Sequence, residues 1–437
     1  MKLTLASLAL TASPAMANFW QWTDPHMDMS GACSGTNSTP YGNFDNSATG
    51  CGCTPELIDS AADFMIQTEP LEDPEDFIFH TGDTPWGDDI FDTHSRIKKS
   101  ITDKFPNTPL FFCLGNHDFD GDMNPSGDDA KKMYPRAVEV WGDYLDDDAK
   151  ATMSTKGWYS QKVGKKNVRL VVLNTEYYDY GNDVVQQGLT VEDGYAQFDW
   201  LTETLTAARA NNETVYLYGH ISPGYEIGYA NDLVTQPEAI YRPFMPQLFA
   251  RAYTDVTDQF QDIIKIQIAG HEHTDTFRIS GEKSFLTTSP SMSTAYPTSN
   301  PTIRLWKTEE DGDVNDYDQY HFDLLKSNKE HVPYWSKSYT FSTEYGYDKL
   351  NRTNLEDLLA RFKAEHVDPT VGDIYARHLR HLQSDTNTEY QPTCNYWCQA
   401  QDLCDKEFGA HSSTLGDVTN CLVDAGYDFK AETTTPN

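Results

Sequence analysis

The sequence is poor in positive charge. Its 437 residues include 33 lysines and arginines against 67 aspartates and glutamates, a formal net charge of −34 at pH 7. A surface of that sign repels polyanions, which disfavours nucleic acid polymers and anionic membranes as partners. A small anionic substrate is still compatible with this charge, because a bound metal ion can invert the local field.

The sequence also lacks internal repeats, low-complexity tracts and long hydrophobic runs. No stretch approaches the roughly 20 apolar residues that a membrane-spanning helix needs, so we expect no transmembrane segment. Hydrophobic residues make up 38% of the chain and aromatic residues 13%, enough for a folded core. The length suits one large domain with an appendage, or two domains.

The N-terminus has the pattern of a secretory signal peptide. Lys2 supplies positive charge, residues 3–10 are mostly apolar, and Ala15-Met16-Ala17 is a small-x-small cleavage signal. We therefore predict that residues 1–17 are removed and that the protein is secreted or lumenal. Export makes the eight cysteines disulfide candidates. It also makes three Asn-x-Ser/Thr triplets glycosylation candidates, at Asn37, Asn212 and Asn351.

Polar residues recur where apolar runs end. Residues 263–269 predict a buried strand that leads into Gly270-His271-Glu272-His273, and an aromatic run at residues 19–22 leads to Asp24 and His26. Residues two apart in an extended backbone point to the same side, so each pair can aim at one point. Three further predicted strands end at Asp83, at Asn116-His117 and at His220.

These strands alternate with predicted helices, which indicates an α/β fold whose ligands bind at the strand ends. The candidate metal ligands at that edge are Asp24, His26, Asp83, Asn116, His220, His271 and His273. Carboxylate, amide and imidazole groups without thiolate suit zinc, iron or manganese. Seven ligands are too many for one catalytic zinc, but they fit two ions that share a carboxylate and clamp a phosphoryl group.

The ordered blocks Asp-x-His, Gly-Asp, Gly-Asn-His-Asp, Gly-His and Gly-His-x-His resemble the calcineurin-like metallophosphoesterase superfamily. Within it the chain is most similar to the acid sphingomyelinase-like phosphodiesterases, through residues 19–28, 197–201, 215–224 and 300–304 and the four C-terminal cysteines. The resemblance implies two packed mixed β-sheets flanked by helices, with a small helical C-terminal region pinned by disulfides. We place the catalytic domain at residues 18–330 and the C-terminal region at residues 331–437.

The resemblance also implies a role for each site residue. Asp24, His26 and His273 would hold one divalent ion, Asn116, His220 and His271 would hold a second, and Asp83 would bridge them. We expect both ions to be zinc. A metal-activated hydroxide would attack phosphorus, and His117 would stabilise or protonate the leaving group. His80 and His94 lie outside the blocks, and we interpret them as non-ligands.

Two positions depart from the pattern. A histidine usually follows the bridging aspartate by four residues, and Gly87 stands there. A group that would orient or protonate the substrate is therefore missing, so His117 acts alone, another residue substitutes, or turnover is slow. Asp118 stands where the pattern often has glutamate.

The resemblance implies disulfides Cys394–Cys398, Cys404–Cys421 and Cys33–Cys53. Cys113 lies inside an apolar run and is predicted to be a buried free thiol. Cys51 is unassigned and competes with Cys53 for Cys33.

Three functions remain open at this point. The first is a secreted phosphodiesterase that acts, as a monomer, on small substrates such as nucleotides. The second is a sphingomyelinase that releases phosphocholine, since a zwitterionic headgroup is not repelled by the negative chain. The third is a non-catalytic secreted binding protein on the same fold. A purple acid phosphatase is disfavoured, because we find no tyrosine at the position near the Gly-Asp block where that group has an iron ligand.

Overall fold

The structure is a computed structural model. It describes residues 18–29, 40–42, 53–85, 90–119, 125, 127–164, 167–179, 191–225, 243–293, 299–309, 311–382, 384, 394, 396–410 and 415–426. Several predictions fall outside these residues: the signal peptide, Cys33, Asn37, Cys51 and Gly87.

Two mixed six-stranded sheets form the centre of the protein, as predicted. The first has the order β12-β11-β10-β1-β2-β3, in which β1, β2 and β3 run parallel and the other pairs are antiparallel. Its strands are β1 (Asn18–Trp22), β2 (Phe77–His80), β3 (Leu110–Phe112), β10 (Thr302–Thr308), β11 (Val314–Phe322) and β12 (Trp335–Thr340).

The second sheet has the order β4-β5-β6-β7-β9-β8 and is parallel from β5 to β9. Its outer strands β4 and β8 are antiparallel to their neighbours. The strands are β4 (Tyr159–Val163), β5 (Val168–Val172), β6 (Thr214–Tyr218), β7 (Ile264–Ala269), β8 (Thr276–Ser280) and β9 (Ser284–Thr288).

Aromatic side chains fill the space between the sheets. Phe79 of β2 stacks on Tyr218 of β6 with ring centroids 3.6 Å apart, and Phe19 of β1 lies 5.8 Å from Tyr216. All four rings are buried. Large, rigid rings bury much apolar area. These contacts therefore pack β1 and β2 of the first sheet against β6 of the second.

Helices cover the outer faces of the sheets. The described α-helices before the C-terminal region are α1 (Pro55–Thr68), α2 (Ile90–Lys104), α3 (Asp128–Trp141), α4 (Asp147–Lys156), α5 (Val191–Ala210), α6 (Gln247–Gln259) and α7 (Leu324–Glu330). Helix α1 begins as its sequence predicts, with Pro55 in the first turn and the Thr54 side chain accepting from the Leu57 amide. None of the described helices combines the length and apolar character needed to cross a bilayer.

The C-terminal region is helical and carries two disulfides, as predicted. Its helices are α8 (Phe341–Tyr345), α9 (Arg352–Val367), α10 (Ile374–His381), α11 (Tyr396–Cys404) and α12 (Leu415–Asp424). Cys394 bonds to Cys398, and Cys404 bonds to Cys421. Strand β12 lies beyond our proposed boundary at residue 330 but pairs with β11, so the first sheet extends to Thr340.

The predicted Cys33–Cys53 disulfide is wrong in this structure. Cys53 is a buried free thiol, and its sulfur donates to the carbonyl oxygen of Met292. The thiol packs within the hydrophobic core. Cys113 is also a buried free thiol, as its position in an apolar run predicts.

Candidate metal centre

The candidate site lies where parallel strands of both sheets end. Asp24 follows β1, Asp83 follows β2, Asn116 follows β3, His220 follows β6 and His271 follows β7. Because the carboxyl ends of these strands meet at one edge of the β-sandwich, side chains up to 249 positions apart in sequence converge. All seven predicted ligands belong to this cluster.

One group within the cluster consists of Asp24, His26, Asp83 and His273, whose ligand atoms all lie within 4.8 Å of one another. The Nε2 atoms of His26 and His273 are 3.1 Å apart. Asp24 Oδ1 lies 3.3 Å from His273 Nε2, and Asp83 Oδ2 lies 3.5 Å from His26 Nε2. All four residues are buried. Two imidazoles and two carboxylates thus face one small volume.

A second group consists of Asp83, His220 and His271. The amide oxygen of Asn116 joins it, at 3.2 Å from His220 Nε2 and 3.0 Å from His271 Nδ1. Asp83 Oδ2 lies 3.2 Å from His220 Nε2. Asp83 therefore belongs to both groups, the position expected of a bridging carboxylate.

The backbone at these residues is strained. Nine described residues other than glycine have positive φ, and five of them are in the cluster: Asp24, His26, Asp83, His271 and His273, with φ between 43° and 70°. Side chains destabilise this left-handed conformation by about 1–3 kcal/mol each, and such residues concentrate at functional sites. The surrounding packing therefore holds the five side chains in orientations that the local chain does not prefer.

Close backbone packing explains Gly115 beside this cluster. A Cβ atom on Gly115 would lie 2.3 Å from Asp83 Oδ1 and 2.6 Å from the Asp83 amide nitrogen. The glycine thus lets the loops after β2 and β3 approach each other.

Charges within the cluster are set by burial and by the neighbouring groups. Burial opposes ionisation of Asp24, but His273 and His220 lower its pKa to about 2. Burial lowers the pKa of His26 and of His271 to about 3, so both imidazoles are neutral, the form that binds metal. Burial also disfavours charge on His220, yet Asp83 and Asp24 raise its pKa well above its ordinary value.

The hydrogen bond of His220 shows that the cluster fits a cation. Its Nδ1 lies 2.7 Å from the carbonyl oxygen of Thr81, which can only accept, so Nδ1 carries a proton. Its Nε2 faces oxygens of Asn116 and Asp83, so it meets them either with a second proton, as the raised pKa favours, or as a lone pair beside a bound cation. Such a gathering of buried acceptors is stable only around positive charge. These donors match the nitrogen and oxygen ligands of divalent metal ions.

His117 lies at the edge of the cluster and is half-buried. Its backbone N–H donates to Asp83 Oδ1 over 2.8 Å, which leaves Oδ2 for the two groups. Its ring centroid is 4.8 Å from that of His26, with the rings nearly perpendicular. The imidazole is thus next to the cluster without belonging to either group.

A buried clamp ties the loops after β2 and β3 together. Asp118 Oδ2 accepts from the amides of Asp83 and Gly115 over 3.0 and 2.7 Å, and Oδ1 accepts from the Thr84 amide over 2.9 Å. His94 Nε2 lies 3.1 Å from the same Oδ1. Asp118 therefore fixes the backbone that carries Asp83 and Asn116.

His94 and His80 have structural partners. His94 Nδ1 accepts from the indole N–H of Trp141 over 2.9 Å, which places the imidazole proton on Nε2, towards Asp118. His80 Nε2 lies 2.8 Å from Thr84 Oγ1, and its ring stacks on Trp22. Neither histidine belongs to the two ligand groups, in line with their interpretation as non-ligands.

Sequence reasoning missed the support of the Gly-His-x-His loop. Glu272, between the two histidines, pairs with the buried Arg278, and Arg278 also pairs with Asp405 of the C-terminal region. A charged residue inside the otherwise buried strand β8 was the available signal, because a buried arginine requires a partner. The partner itself could not be identified from spacing.

Comparison with known proteins identifies the family of this chain. A family model described as calcineurin-like phosphoesterase matches residues 17–275. The human protein named cyclic GMP-AMP phosphodiesterase SMPDL3A is 28% identical over 423 residues, covering 90% of this chain and 87% of its own. Mouse acid sphingomyelinase-like phosphodiesterase 3b is 27% identical over 432 residues, covering 90% and 88%. Sphingomyelinase phosphodiesterase C of Dictyostelium discoideum is 31% identical over 294 residues, covering 62% of each chain.

The family match spans more than half of the 437 residues and contains all seven cluster residues, from Asp24 to His273. Two mixed sheets with a buried Asp/His cluster at their strand ends agree with it. The chain belongs to the calcineurin-like phosphoesterase family.

Proposed function

We propose that this protein is a dinuclear-metal phosphodiesterase that hydrolyses small phosphoesters such as nucleotides. The observation that carries the proposal is the sharing of Asp83 between two groups of buried ligands. Asp24, His26 and His273 hold the first ion in this proposal, and Asn116, His220 and His271 hold the second. Zinc is the proposed metal because four of the seven ligands are imidazoles. When bound, two such ions activate water near neutral pH and neutralise charge on a phosphoryl group.

The protein's own residues supply position and proton transfer. The amide of Asn116 is a ligand without negative charge, so it does not add to the repulsion of an anionic substrate. His117 has its backbone fixed on Asp83 and its half-buried ring at the edge of the cluster. From there His117 stabilises or protonates the departing oxygen, as a general acid.

Nucleotides are the proposed substrates for two reasons. Cyclic GMP-AMP phosphodiesterase SMPDL3A, named for a nucleotide substrate, aligns with 90% of this chain. The net charge of −34 disfavours the approach of the whole protein to an anionic membrane. Sphingomyelin is the second candidate, since Sphingomyelinase phosphodiesterase C is also a relative and a zwitterionic headgroup is not repelled.

We propose that the protein is exported as a monomer. Two disulfides and the signal-like N-terminus support export, since disulfides persist in oxidising compartments. Asn212 is exposed in the turn after α5, and Asn351 caps α9 through its side-chain oxygen. Both stay glycosylation candidates.

A paired assay tests the proposed activity. Purified protein is given ATP, cyclic GMP-AMP or micellar sphingomyelin at equal concentrations near pH 5, with and without a chelator. Hydrolysis of a nucleotide that chelator abolishes and Zn²⁺ restores supports the proposal. Release of phosphocholine alone would establish the sphingomyelinase alternative. Activity that survives complete metal removal would refute the metal mechanism.

A further inference from the structure

Arg278 joins the metal-site loop to the C-terminal region. It lies on β8 and is fully buried. Nη1 and Nη2 donate to the two carboxylate oxygens of Glu272, with Nη2 2.6 Å from Oε2. Nε donates to Asp405 Oδ2 over 2.7 Å. A planar guanidinium that binds one carboxylate with two parallel hydrogen bonds fixes the orientation of that carboxylate.

Glu272 transmits this constraint to the ligands. It stands between His271 and His273, and its side chain faces Arg278 while the two imidazoles face the cluster. Ser222 Oγ also donates to Glu272 Oε1 over 3.1 Å. Holding the middle residue of three restricts rotation of the backbone on both sides. The two histidines, whose φ is positive, depend on such external restraint.

Asp405 holds a second loop of the site. Its Oδ1 accepts from the backbone N–H of Tyr225 over 2.9 Å, and Tyr225 follows His220 by five residues. A Cβ atom on Gly224 would lie 2.4 Å from the Arg278 guanidinium, so the loop passes directly against the pair. The Asp405 carboxylate thus contacts Arg278, which holds the loop with His271 and His273, and the backbone of the loop that follows His220.

The C-terminal segment is itself anchored on the second sheet. Residues 405–409 form a π-helix immediately after Cys404, whose disulfide partner is Cys421. Lys406 Nζ donates to Thr276 Oγ1 of β8 over 2.6 Å and pairs with the buried Asp402. Short π-helical turns are frequent at functional sites. The disulfide and the contacts of Lys406 therefore hold residues 405–409 in place independently of the ion pair between Arg278 and Asp405.

We propose that Arg278, with Glu272 and Asp405, is a positioning element through which the C-terminal region sets the metal affinity of the catalytic site. The inference rests on the proposed function, since it takes the three histidines as ligands. Residues that orient metal ligands typically change metal affinity 10–100-fold when mutated. The C-terminal region then acts on the metal site in addition to covering the second sheet.

The test compares Asp405→Asn with Asp402→Asn in the full-length protein. Both changes neutralise a buried, ion-paired aspartate of the C-terminal region, but Asp402 bonds to Lys406 and Tyr375 and, among the described residues, does not contact the metal-site loops. Zn²⁺ affinity is measured by competition with a chromogenic chelator, and the unfolding midpoint of the metal-free protein is measured separately. We expect Asp405→Asn to weaken Zn²⁺ binding 10–100-fold and Asp402→Asn to change it less than about threefold.

Glu272→Gln serves as the second variant, because it keeps the side-chain shape and lies outside the C-terminal segment. It should also weaken Zn²⁺ binding, by about tenfold. Wild-type Zn²⁺ affinity in Glu272→Gln, or equal affinities in Asp405→Asn and Asp402→Asn, would overturn the inference. Failure of the wild-type protein to bind Zn²⁺ at all would instead refute the proposed function on which it rests.

Discussion

Replacement of Asp118 by alanine should destabilise the protein severely and loosen the metal site. The fully buried carboxylate accepts three backbone N–H groups, from Asp83, Thr84 and Gly115. A buried donor left without a partner costs about 1–3 kcal/mol. Water that enters the vacated space recovers part of this cost, so we expect a loss of about 3–5 kcal/mol in the free energy of unfolding.

Urea denaturation of the metal-free protein at pH 7 measures this loss. Asp146→Ala is the matched control, because the exposed Asp146 accepts one backbone N–H, that of Ala149 at the start of α4. Loss of such a helix cap costs about 1 kcal/mol. A loss below about 1 kcal/mol in the free energy of unfolding of Asp118→Ala would show that these three hydrogen bonds do not stabilise the loops after β2 and β3.

The same variant has a defined pH dependence. Burial opposes the charge of Asp118, but His94 shifts the pKa of its carboxyl below the ordinary value. A folded-state pKa below the unfolded value of about 3.9 stabilises the protein above that pH, and the contribution disappears as pH falls through the folded-state pKa. The stability difference between wild type and Asp118→Ala should therefore narrow below about pH 4. A constant difference from pH 7 to pH 3 would contradict a role for the charge.

Three further outcomes are expected. Asp83→Asn should abolish turnover and release both ions, because it removes the shared negative ligand; bound metal near wild-type content, measured after dialysis, would disprove the bridging role. His117→Ala should keep its metal but lose roughly 10²–10⁴-fold in kcat, and an unchanged rate would exclude it as the general acid. Asp76 accepts a hydrogen bond from the backbone N–H of Asn18 over 2.7 Å, and burial raises the pKa of its carboxyl to about 6. This carboxyl therefore stabilises the fold fully only below about pH 4, and its contribution is lost as pH rises through 6. Cleavage before Asn18 would convert that amide into an ammonium group, so the chain lacking residues 1–17 should be more stable than the uncleaved chain at pH 7, by up to about 3 kcal/mol, and not at pH 4; equal urea midpoints at pH 7 would refute this.

The fold class could be predicted because local patterns report strand ends. Each apolar run that precedes a candidate ligand is a strand in the structure, and helices lie between these strands, as the alternation predicts. Helices α3 and α4 both lie between β3 and β4. Helix α3 contains Pro135 in its interior, which obscures its pattern, whereas α4 has an N-cap at Asp146 and Gly157 directly after its last residue.

The cysteines show where sequence reasoning failed. Cys394–Cys398 and Cys404–Cys421 are close in sequence, and the structure contains both disulfides. The Cys53 thiol instead donates a hydrogen bond to the carbonyl oxygen of Met292, 239 positions away. Pairing over a loop depends on which side of the loop faces the core, and the core is built from distant segments.

The sequence by itself determined which side chains stand at the strand ends, because a strand that leaves a sheet presents its next polar residues at the sheet edge. It could therefore nominate seven ligands without showing that they meet. The tertiary structure decided that Asp83 faces both groups, that Asp118 clamps two loops, and that Asp405 reaches Arg278 across 127 positions. These contacts depend on how two sheets and the C-terminal region pack, and no local pattern in the chain encodes a partner at such distance.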